Sequence, residues 1–139
     1  MLKADKHPLY HLMSAAEIQL ISSIEVIQNY ESGELLIQTN QRNRDLICIN
    51  RGKVSIRIEL TGGSAQEVSQ LESGNLIGEM NFVIPTRRTA DVIALTEVEV
   101  SIYPYQELTA LLRQNPALAA KVFTALNFQL ARKYLAMLK

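Results

Sequence analysis

Tryptophan is absent from this sequence, cysteine occurs once and histidine twice, and neither sign of charge is in excess, with fourteen basic and fourteen acidic residues. The single cysteine, Cys48, excludes an internal disulfide framework, and its apolar neighbours predict a buried side chain. The charge balance excludes a global field that would attract nucleic acid or anionic lipid. Recognition of an anion must therefore rely on a local cluster of residues.

Long apolar runs are also missing. No stretch approaches the roughly 20 apolar residues that a membrane-spanning helix needs, and the first residues are not followed by the apolar core of a signal peptide. We therefore expect a cytoplasmic protein without a membrane segment. The two histidines, His7 and His11, lack a cysteine or carboxylate partner at a metal-binding spacing, so we expect ordinary, partly exposed side chains and no metal site.

The composition fits a single domain over residues 1–139. Apolar residues make up 47% and charged residues 20% of the chain, as in ordinary globular proteins. All six glycines fall between Gly33 and Gly78, among frequent β-branched residues, and such turn signals between short apolar runs predict a sandwich or barrel. Residues 61–64 predict a hairpin turn. The candidate strands are residues 25–28, 34–38, 46–50, 53–59, 67–71, 89–94 and 98–104.

Helices are predicted on both sides of these strands. Ser14 and Glu17 have the spacing of a capping box, in which each side chain bonds a free amide at the start of a helix. Asn115 can cap the last helix, which has a proline at its first position. The predicted helices cover residues 15–24, 105–112 and about 116–137.

Residues 74–92 carry the chemistry of the sequence. A glycine turn precedes a short apolar segment with room for one or two helical turns, and a basic pair then opens a strand. Amides at a helix start and the planar guanidinium of an arginine such as Arg88 suit an anion, whereas a carboxylate such as Glu79 suits a hydroxyl. Together they fit a ribose phosphate better than inorganic phosphate.

The spacing of these residues resembles a known motif. The run 77–80, Ile-Gly-Glu-Met, is followed nine positions after its glutamate by Arg88 and then by Thr-Ala-Asp-Val, as in the phosphate-binding cassette of cyclic nucleotide-binding domains. Those domains occur in catabolite activator-type regulators, cyclic-nucleotide-dependent kinases and gated channels. The resemblance covers practically the whole chain, and its outer positions are Leu12, Ser14, Glu17, Tyr30, Gly33, Glu34, Leu36, Ile37, residues 46–49, Gly52 and Val54.

The resemblance implies an α+β fold, namely an eight-stranded jelly-roll-like β-barrel with an N-terminal helix, a short phosphate-cassette helix and two C-terminal helices. It implies a non-enzymatic regulatory domain that binds cAMP or cGMP, needs no cofactor and signals through its C-terminal helix. In this family the counterpart of Glu79 accepts a hydrogen bond from the ribose 2′-hydroxyl, and that of Arg88 holds the cyclic phosphate. The other implied contacts are Gly78, the amides around Met80 and Asn81, and Thr89, with Arg132 or Tyr134 as a candidate lid over the base.

Several positions depart from the family pattern. Asn81 stands where the family commonly has alanine or glycine close to the phosphate, and Pro85 and Arg87 alter the tip of the cassette. For Arg87 we expect a solvated surface charge rather than a second phosphate ligand. Asn40 and Asn43 replace glycines of the hairpin pattern, and asparagine tolerates the left-handed backbone conformation. We therefore expect the fold to persist and the cassette loop to be reshaped.

Other functions are compatible with the sequence. In a degenerate module, Glu79 and Arg88 would form a mutual salt bridge, and the final helix would serve as a protein-interaction or dimerisation scaffold without nucleotide. An enzyme is disfavoured because no set of nucleophile, general base and orienting group emerges. A DNA-binding regulator is disfavoured because no helix-turn-helix motif follows the long helix. A stand-alone sensor, a homodimer through that helix and a part of a larger parent protein all fit.

Overall fold

The computed structural model describes residues 2–138, which begin with two short 3-10 turns, Ala4–Lys6 and Tyr10–Leu12. Within this range the helices are α1 (Ala15–Ser22), α2 (Glu79–Val83), α3 (Tyr105–Gln114) and α4 (Pro116–Met137). The strands are β1 (Val26–Tyr30), β2 (Leu35–Ile37), β3 (Leu46–Arg51), β4 (Lys53–Glu59), β5 (Ala65–Glu72), β6 (Leu76–Ile77), β7 (Asp91–Ala94) and β8 (Val98–Tyr103).

The strands form two four-stranded antiparallel sheets, with the orders β1-β8-β3-β6 and β2-β7-β4-β5. Strand β3 separates two apolar cores because successive side chains of a strand point to opposite faces. Ile47 and Ile49 join the core between the sheets, whereas Leu46 and Cys48 join the core beneath the helices. This double-sheet jelly roll confirms the predicted α+β fold, although the two sheets do not close into one barrel.

Most predicted elements are present with shifted ends. The capping box forms with both reciprocal hydrogen bonds, and α1 ends at Ser22 rather than at residue 24. The predicted hairpin joins β4 and β5, where Leu60 N donates to the Ser64 carbonyl oxygen over 2.8 Å. The strand predicted over residues 89–94 begins only at Asp91. Strand β6 was not predicted, because two residues are too few to show an alternating pattern.

Three side-chain predictions are tested by the fold. Asn115 does not cap α4, because its Nδ2 turns back and donates to the Leu111 carbonyl oxygen at 2.8 Å. His7 is only 1% exposed, so the prediction of partial exposure is wrong for this residue. The N-terminal turns fold its ring against Tyr10, with 3.7 Å between the ring centroids. Cys48 is buried as predicted, and burial raises the pKa of its thiol to about 12.

Helix α4 has two unlike halves. Its buried residues recur at helical spacing from Leu118 to Gln129 and pack on the helical core. Residues 130–137 include no buried side chain, and Tyr134, Leu135 and Met137 are exposed. The end of the helix is therefore held to the domain by far fewer contacts than its start. None of the helices in the described range is long and apolar enough to cross a membrane.

Candidate functional site

The predicted cassette begins at Gly78, between β6 and α2. Its φ is +86°, in the left-handed region that glycine adopts without strain. A β-carbon at this position would collide with Nη1 of Arg88 and would lie 3.0 Å from the Asp45 carbonyl oxygen. Glycine is therefore required by the backbone conformation and by the close approach of the guanidinium. Phe82 N donates to the Gly78 carbonyl oxygen at 3.0 Å, which is the first backbone hydrogen bond of α2. The amides of residues 79–81 come before it in the helix and therefore have no acceptor within the helix.

Arg88 lies at the centre of the cassette and is 3% exposed. Its Nη1 donates to Asn81 Oδ1 at 2.9 Å, and its Nη2 donates to Asn43 Oδ1 at 3.0 Å and to the Asp45 carbonyl oxygen at 2.8 Å. The buried Nε has no hydrogen-bond partner within residues 2–138. Burial lowers the pKa of Arg88, while the carboxylates of Asp45 and Glu79 act in the opposite direction. The guanidinium stays charged and retains one buried donor.

The side chain of Asn81 lies beside this guanidinium and is itself buried. Its Oδ1 accepts the bond from Arg88, and its Nδ2 donates to the carbonyl oxygens of Thr86 and Arg87, both at 3.0 Å. Asn81 thus fastens the tip of the cassette to the base of the loop. The cassette loop was expected to be reshaped because Asn81 is larger than alanine or glycine, and these three hydrogen bonds are the difference that its side chain makes.

Glu79, the first residue of α2, is 3% exposed and faces the end of α4. Its Oε1 lies 2.5 Å from Nζ of Lys133, which also donates to the Leu76 carbonyl oxygen at 2.7 Å. A buried carboxylate is costly unless it is paired, and Lys133 supplies the partner. A direct ion pair between Glu79 and Arg88 is not formed among the described residues. The two charged groups of the cassette have separate partners.

The remaining predicted residues lie at the surface. Met80 is 49% exposed, and Thr89 is also exposed. Arg87 is exposed and donates from Nη1 to the Asn40 carbonyl oxygen at 3.1 Å, in keeping with a surface charge. Asn40 adopts the left-handed conformation expected of it, with φ +74°. Tyr134 is 62% exposed, and the residue of α4 that reaches the cassette is instead Lys133.

Residues 43–45 also belong to the site, although no role was predicted for Arg44 or Asp45. Arg44 donates to the carbonyl oxygens of Asn81 and Phe82 at 2.8 and 2.9 Å, and its guanidinium lies 4.1 Å from the centroid of the Tyr105 ring. Asp45 Oδ1 accepts a bond from Tyr105 N at 2.8 Å. This segment therefore joins the cassette helix to the start of α3.

The sequence held an indirect signal for both missed contributions. Residues 40–45 form a polar cluster directly before the apolar strand β3, which marks a loop that a rigid scaffold can use for binding. Lys133 lies seven residues after Leu126 and four after Gln129, so helical periodicity places it on the face of α4 that is buried nearer the start of the helix. Periodicity does not identify the acceptor, because only the packing of α4 directs the ammonium group towards Glu79.

A cavity of about 320 Å³ opens beside the guanidinium of Arg88. This volume is in the range of small-molecule pockets, which span roughly 300–1,000 Å³. Strands of both sheets contribute to its wall, with apolar side chains next to several amide and hydroxyl groups. The lining residues are Gln28, Tyr30, Leu36, Ile37, Gln41, Asn43, Asp45, Ile47, Arg88 and Ile102. Within residues 2–138, no group of three or more histidine, cysteine or acidic side chains could hold a metal ion.

Comparison with known proteins gives consistent matches. A family model described as the cyclic nucleotide-binding domain matches residues 27–115, more than half of the chain. The cAMP-activated global transcriptional regulator CRP of Salmonella typhimurium is 31% identical over 108 residues, which are 77% of this chain and 50% of that protein. The chain therefore spans about half the length of the curated relatives it matches.

Solved structures share the fold at lower identity. A cyclic nucleotide-binding domain from Methylobacillus flagellatus gives a TM-score of 0.85 at 21% identity, covering 89% of this chain and 70% of that one. The regulatory subunit of a cAMP-independent protein kinase A from Trypanosoma brucei gives 0.79 at 19% identity, covering 98% and 49%. Because one of these proteins is described as independent of cAMP, the shared fold alone does not determine the ligand.

Proposed function

Because the chain belongs to the cyclic nucleotide-binding domain family, we propose that it is a non-enzymatic regulatory domain that binds a cyclic mononucleotide, cAMP or cGMP. Arg88 provides the observation that carries this proposal. Its charged guanidinium is buried, retains an unpartnered Nε and borders a cavity large enough for a small molecule. Burying an arginine with an unused donor is costly for a purely structural residue, and an anion would satisfy that donor.

The proposed roles follow the chemistry of each group. Arg88 and the amides at the start of α2, around Met80 and Asn81, bind the cyclic phosphate, since donors with positive charge suit an anion. Glu79 accepts a hydrogen bond from the ribose hydroxyl, because a carboxylate would repel phosphate. Gly78 permits the close approach of backbone and guanidinium. Thr89 supplies an exposed hydroxyl next to Arg88 in the chain.

The output of binding is proposed to pass through α4. The contact between Glu79 and Lys133 links the cassette to the last turns of this helix, so a ligand at Glu79 can alter their position. We further propose that the chain, which spans about half the length of these curated relatives, forms a homodimer through α4 or acts within a larger protein. A cytoplasmic location stays a prediction.

A second function is favoured by a specific observation. Asn81 and Lys133 already occupy part of the hydrogen-bonding capacity of Arg88 and Glu79. A cassette satisfied by its own side chains is what a degenerate scaffold needs, in which α4 would serve as a protein-interaction surface. This alternative predicts a folded domain that binds no cyclic nucleotide.

Calorimetric titration with cAMP and cGMP distinguishes the two functions. We expect the wild-type chain to bind at least one of them, and Arg88→Ala to weaken binding by about two orders of magnitude, because a buried charge-assisted hydrogen bond is lost. Arg87→Ala is the matched control, since it removes the adjacent, exposed arginine and should leave affinity unchanged. Circular dichroism checks that each variant is folded.

Two results would contradict this account. Absence of heat with either nucleotide at millimolar concentration would overturn the sensor function and support the scaffold. Tight binding that persists in Arg88→Ala would instead reject Arg88 as the phosphate ligand while leaving the sensor function in place.

A further inference from the structure

Among the described residues, the polar contacts that attach the last turns of α4 to the rest of the domain come from one lysine side chain. Within residues 130–138, the described polar contacts to other elements are those of Lys133, whose Nζ bonds Glu79 Oε1 and the Leu76 carbonyl oxygen. The neighbouring cation, Arg132, lies 5.7 Å from the Phe128 ring of the same helix. The position of the helix end therefore depends on what happens at Glu79 and Leu76.

Both acceptors of Lys133 flank the start of the cassette. Leu76 is in β6 and Glu79 opens α2, so the ammonium group bridges the two elements on either side of Gly78. The Lys133 side chain is 32% exposed, whereas that of Glu79 is 5% exposed, so the buried carboxylate is paired with a cation that is itself half-buried. The ammonium group therefore already occupies an acceptor position on Oε1 that a ligand hydroxyl would use.

A ribose hydroxyl and the Lys133 ammonium group are both hydrogen-bond donors, and they require the same kind of acceptor. We propose that Lys133 is a positioning residue that competes with the ligand for Glu79, so that binding of a cyclic nucleotide releases residues 130–138 from the domain. This inference rests on the proposed function, because the competing hydroxyl belongs to the nucleotide. It adds Lys133 to the residues that set nucleotide affinity.

Competition has a reciprocal consequence. If the ligand must displace Lys133, part of its binding free energy is consumed by that displacement, and removing Lys133 returns it. Lys133→Met keeps the apolar stem and deletes the charge, so we expect its affinity for cAMP or cGMP to rise on the order of tenfold. The end of α4 should be loosened in this variant even without nucleotide.

The experiment combines calorimetry with amide hydrogen exchange on the 139-residue chain. In the wild type, we expect exchange in residues 130–138 to accelerate when cAMP or cGMP is added. In Lys133→Met, exchange should be fast from the start and should not respond to the nucleotide. Lys121→Met is the matched control, because it deletes the other described ion pair of α4, in which Nζ lies 2.6 Å from Glu17 Oε1 away from the cassette, and it should behave as the wild type in both measurements. Lys133→Gln, which keeps a donor for the Leu76 carbonyl oxygen, replaces the methionine variant if that variant does not fold.

The outcomes separate this inference from the function on which it rests. Suppose that the wild type binds nucleotide. Equal or weaker affinity in Lys133→Met would then overturn the role of Lys133 alone. The same conclusion would follow if exchange in residues 130–138 of Lys133→Met still responded to the nucleotide. Failure of all the proteins to bind cAMP or cGMP would overturn the proposed function and the competition together. A structural role alone would lower stability without raising affinity.

Discussion

Two clusters of buried polar side chains differ in a way that separates structure from function. The first, which we call the tyrosine cluster, consists of His7, Tyr10, Tyr103 and Glu25 and lies against the helical core. The second, the cassette cluster, consists of the buried side chains of Glu79, Asn81 and Arg88 and the half-buried Lys133, next to the backbone of Gly78. Both are buried and hydrogen-bonded, so burial of polar groups by itself does not identify a site.

The tyrosine cluster is closed. Nδ1 of His7 accepts bonds from Leu9 N at 3.1 Å and Tyr10 N at 3.3 Å, so the proton of the neutral ring lies on Nε2. That Nε2 then donates to Tyr103 Oη at 3.0 Å. Tyr103 Oη in turn donates to Tyr10 Oη at 2.9 Å. No side-chain polar atom of these three residues is both buried and unpartnered. Such a network fixes a single packing and leaves nothing for a ligand.

The cassette cluster is open by comparison. It contains full charges and a buried donor without a partner, and its arginine borders a cavity. Its hydrogen bonds also join four separate segments, namely the loop before β3, α2, the loop that carries Arg88 before β7, and the end of α4. What distinguishes a candidate site is therefore unsatisfied bonding capacity and charge beside a cavity, rather than polarity in the interior.

Gly78→Ala is the strongest test of this comparison. The methyl group would collide with the Arg88 guanidinium and force a left-handed backbone on alanine, so we expect a loss of about 3 kcal/mol of unfolding free energy and no nucleotide binding. Gly62→Ala is the control, because Gly62 has φ +100° with nothing within 4 Å of its added β-carbon. This control should lose only about 1 kcal/mol. Urea denaturation measures both, and equal losses would mean that the contact with Arg88 is unimportant.

Features that depend on interactions between neighbours in the chain could be predicted from the sequence, whereas most contacts between distant segments could not. The capping box, the hairpin at residues 61–64 and the left-handed Asn40 depend on neighbours in the chain, and each was predicted correctly. Gly78 and Arg88, ten positions apart, were assigned to one cassette through the resemblance to a known motif, and the guanidinium lies close to the Gly78 backbone. A motif that recurs in a family therefore allows the sequence to indicate that two separate segments belong to one site.

The remaining contacts arise from packing that no local pattern encodes. Lys133 reaches Glu79 only because α4 crosses the cassette, and Asn81 bonds Arg88 because the loop folds back. His7 was expected to be partly exposed, since nothing in its neighbourhood signals that Tyr103, far along the chain, will cover it. Lys133 was missed, the hydrogen bonds of the Asn81 side chain were not foreseen, and the exposure of His7 was predicted wrongly, because these environments are set by tertiary structure.

Acid should weaken the tyrosine cluster by an intermediate amount. Burial, and secondarily the nearby His11, lowers the pKa of His7 from 6.5 to about 4. The unfolded chain therefore takes up the proton at higher pH than the folded chain, so stability is full above pH 6.5 and falls as the pH drops towards 4. We expect a loss of about 2 kcal/mol between pH 7.5 and 5, measured by urea denaturation.

Two variants show whether His7 causes this slope. His7→Gln should be less stable at pH 7.5 and nearly independent of pH down to 5, where carboxylates begin to titrate. His11→Gln should keep most of the slope, because burial rather than His11 is the larger cause of the low pKa. A wild-type stability that does not change over this range would show that His7 is not buried as a neutral ring.

Tyr103→Phe should have the smallest effect and sharpens the comparison most directly. The change removes one hydroxyl from a fully buried ring and leaves His7 Nε2 and Tyr10 Oη without this partner, so we expect a loss of about 1–2 kcal/mol. Tyr134→Phe, at a side chain that is 62% exposed, is the control and should be neutral. Because the tyrosine cluster is closed, nucleotide affinity measured by calorimetry should be the same in Tyr103→Phe as in the wild type. A change in the affinity of Tyr103→Phe would mean that the two clusters are coupled through the helical core, and the distinction between a structural and a functional cluster would then fail.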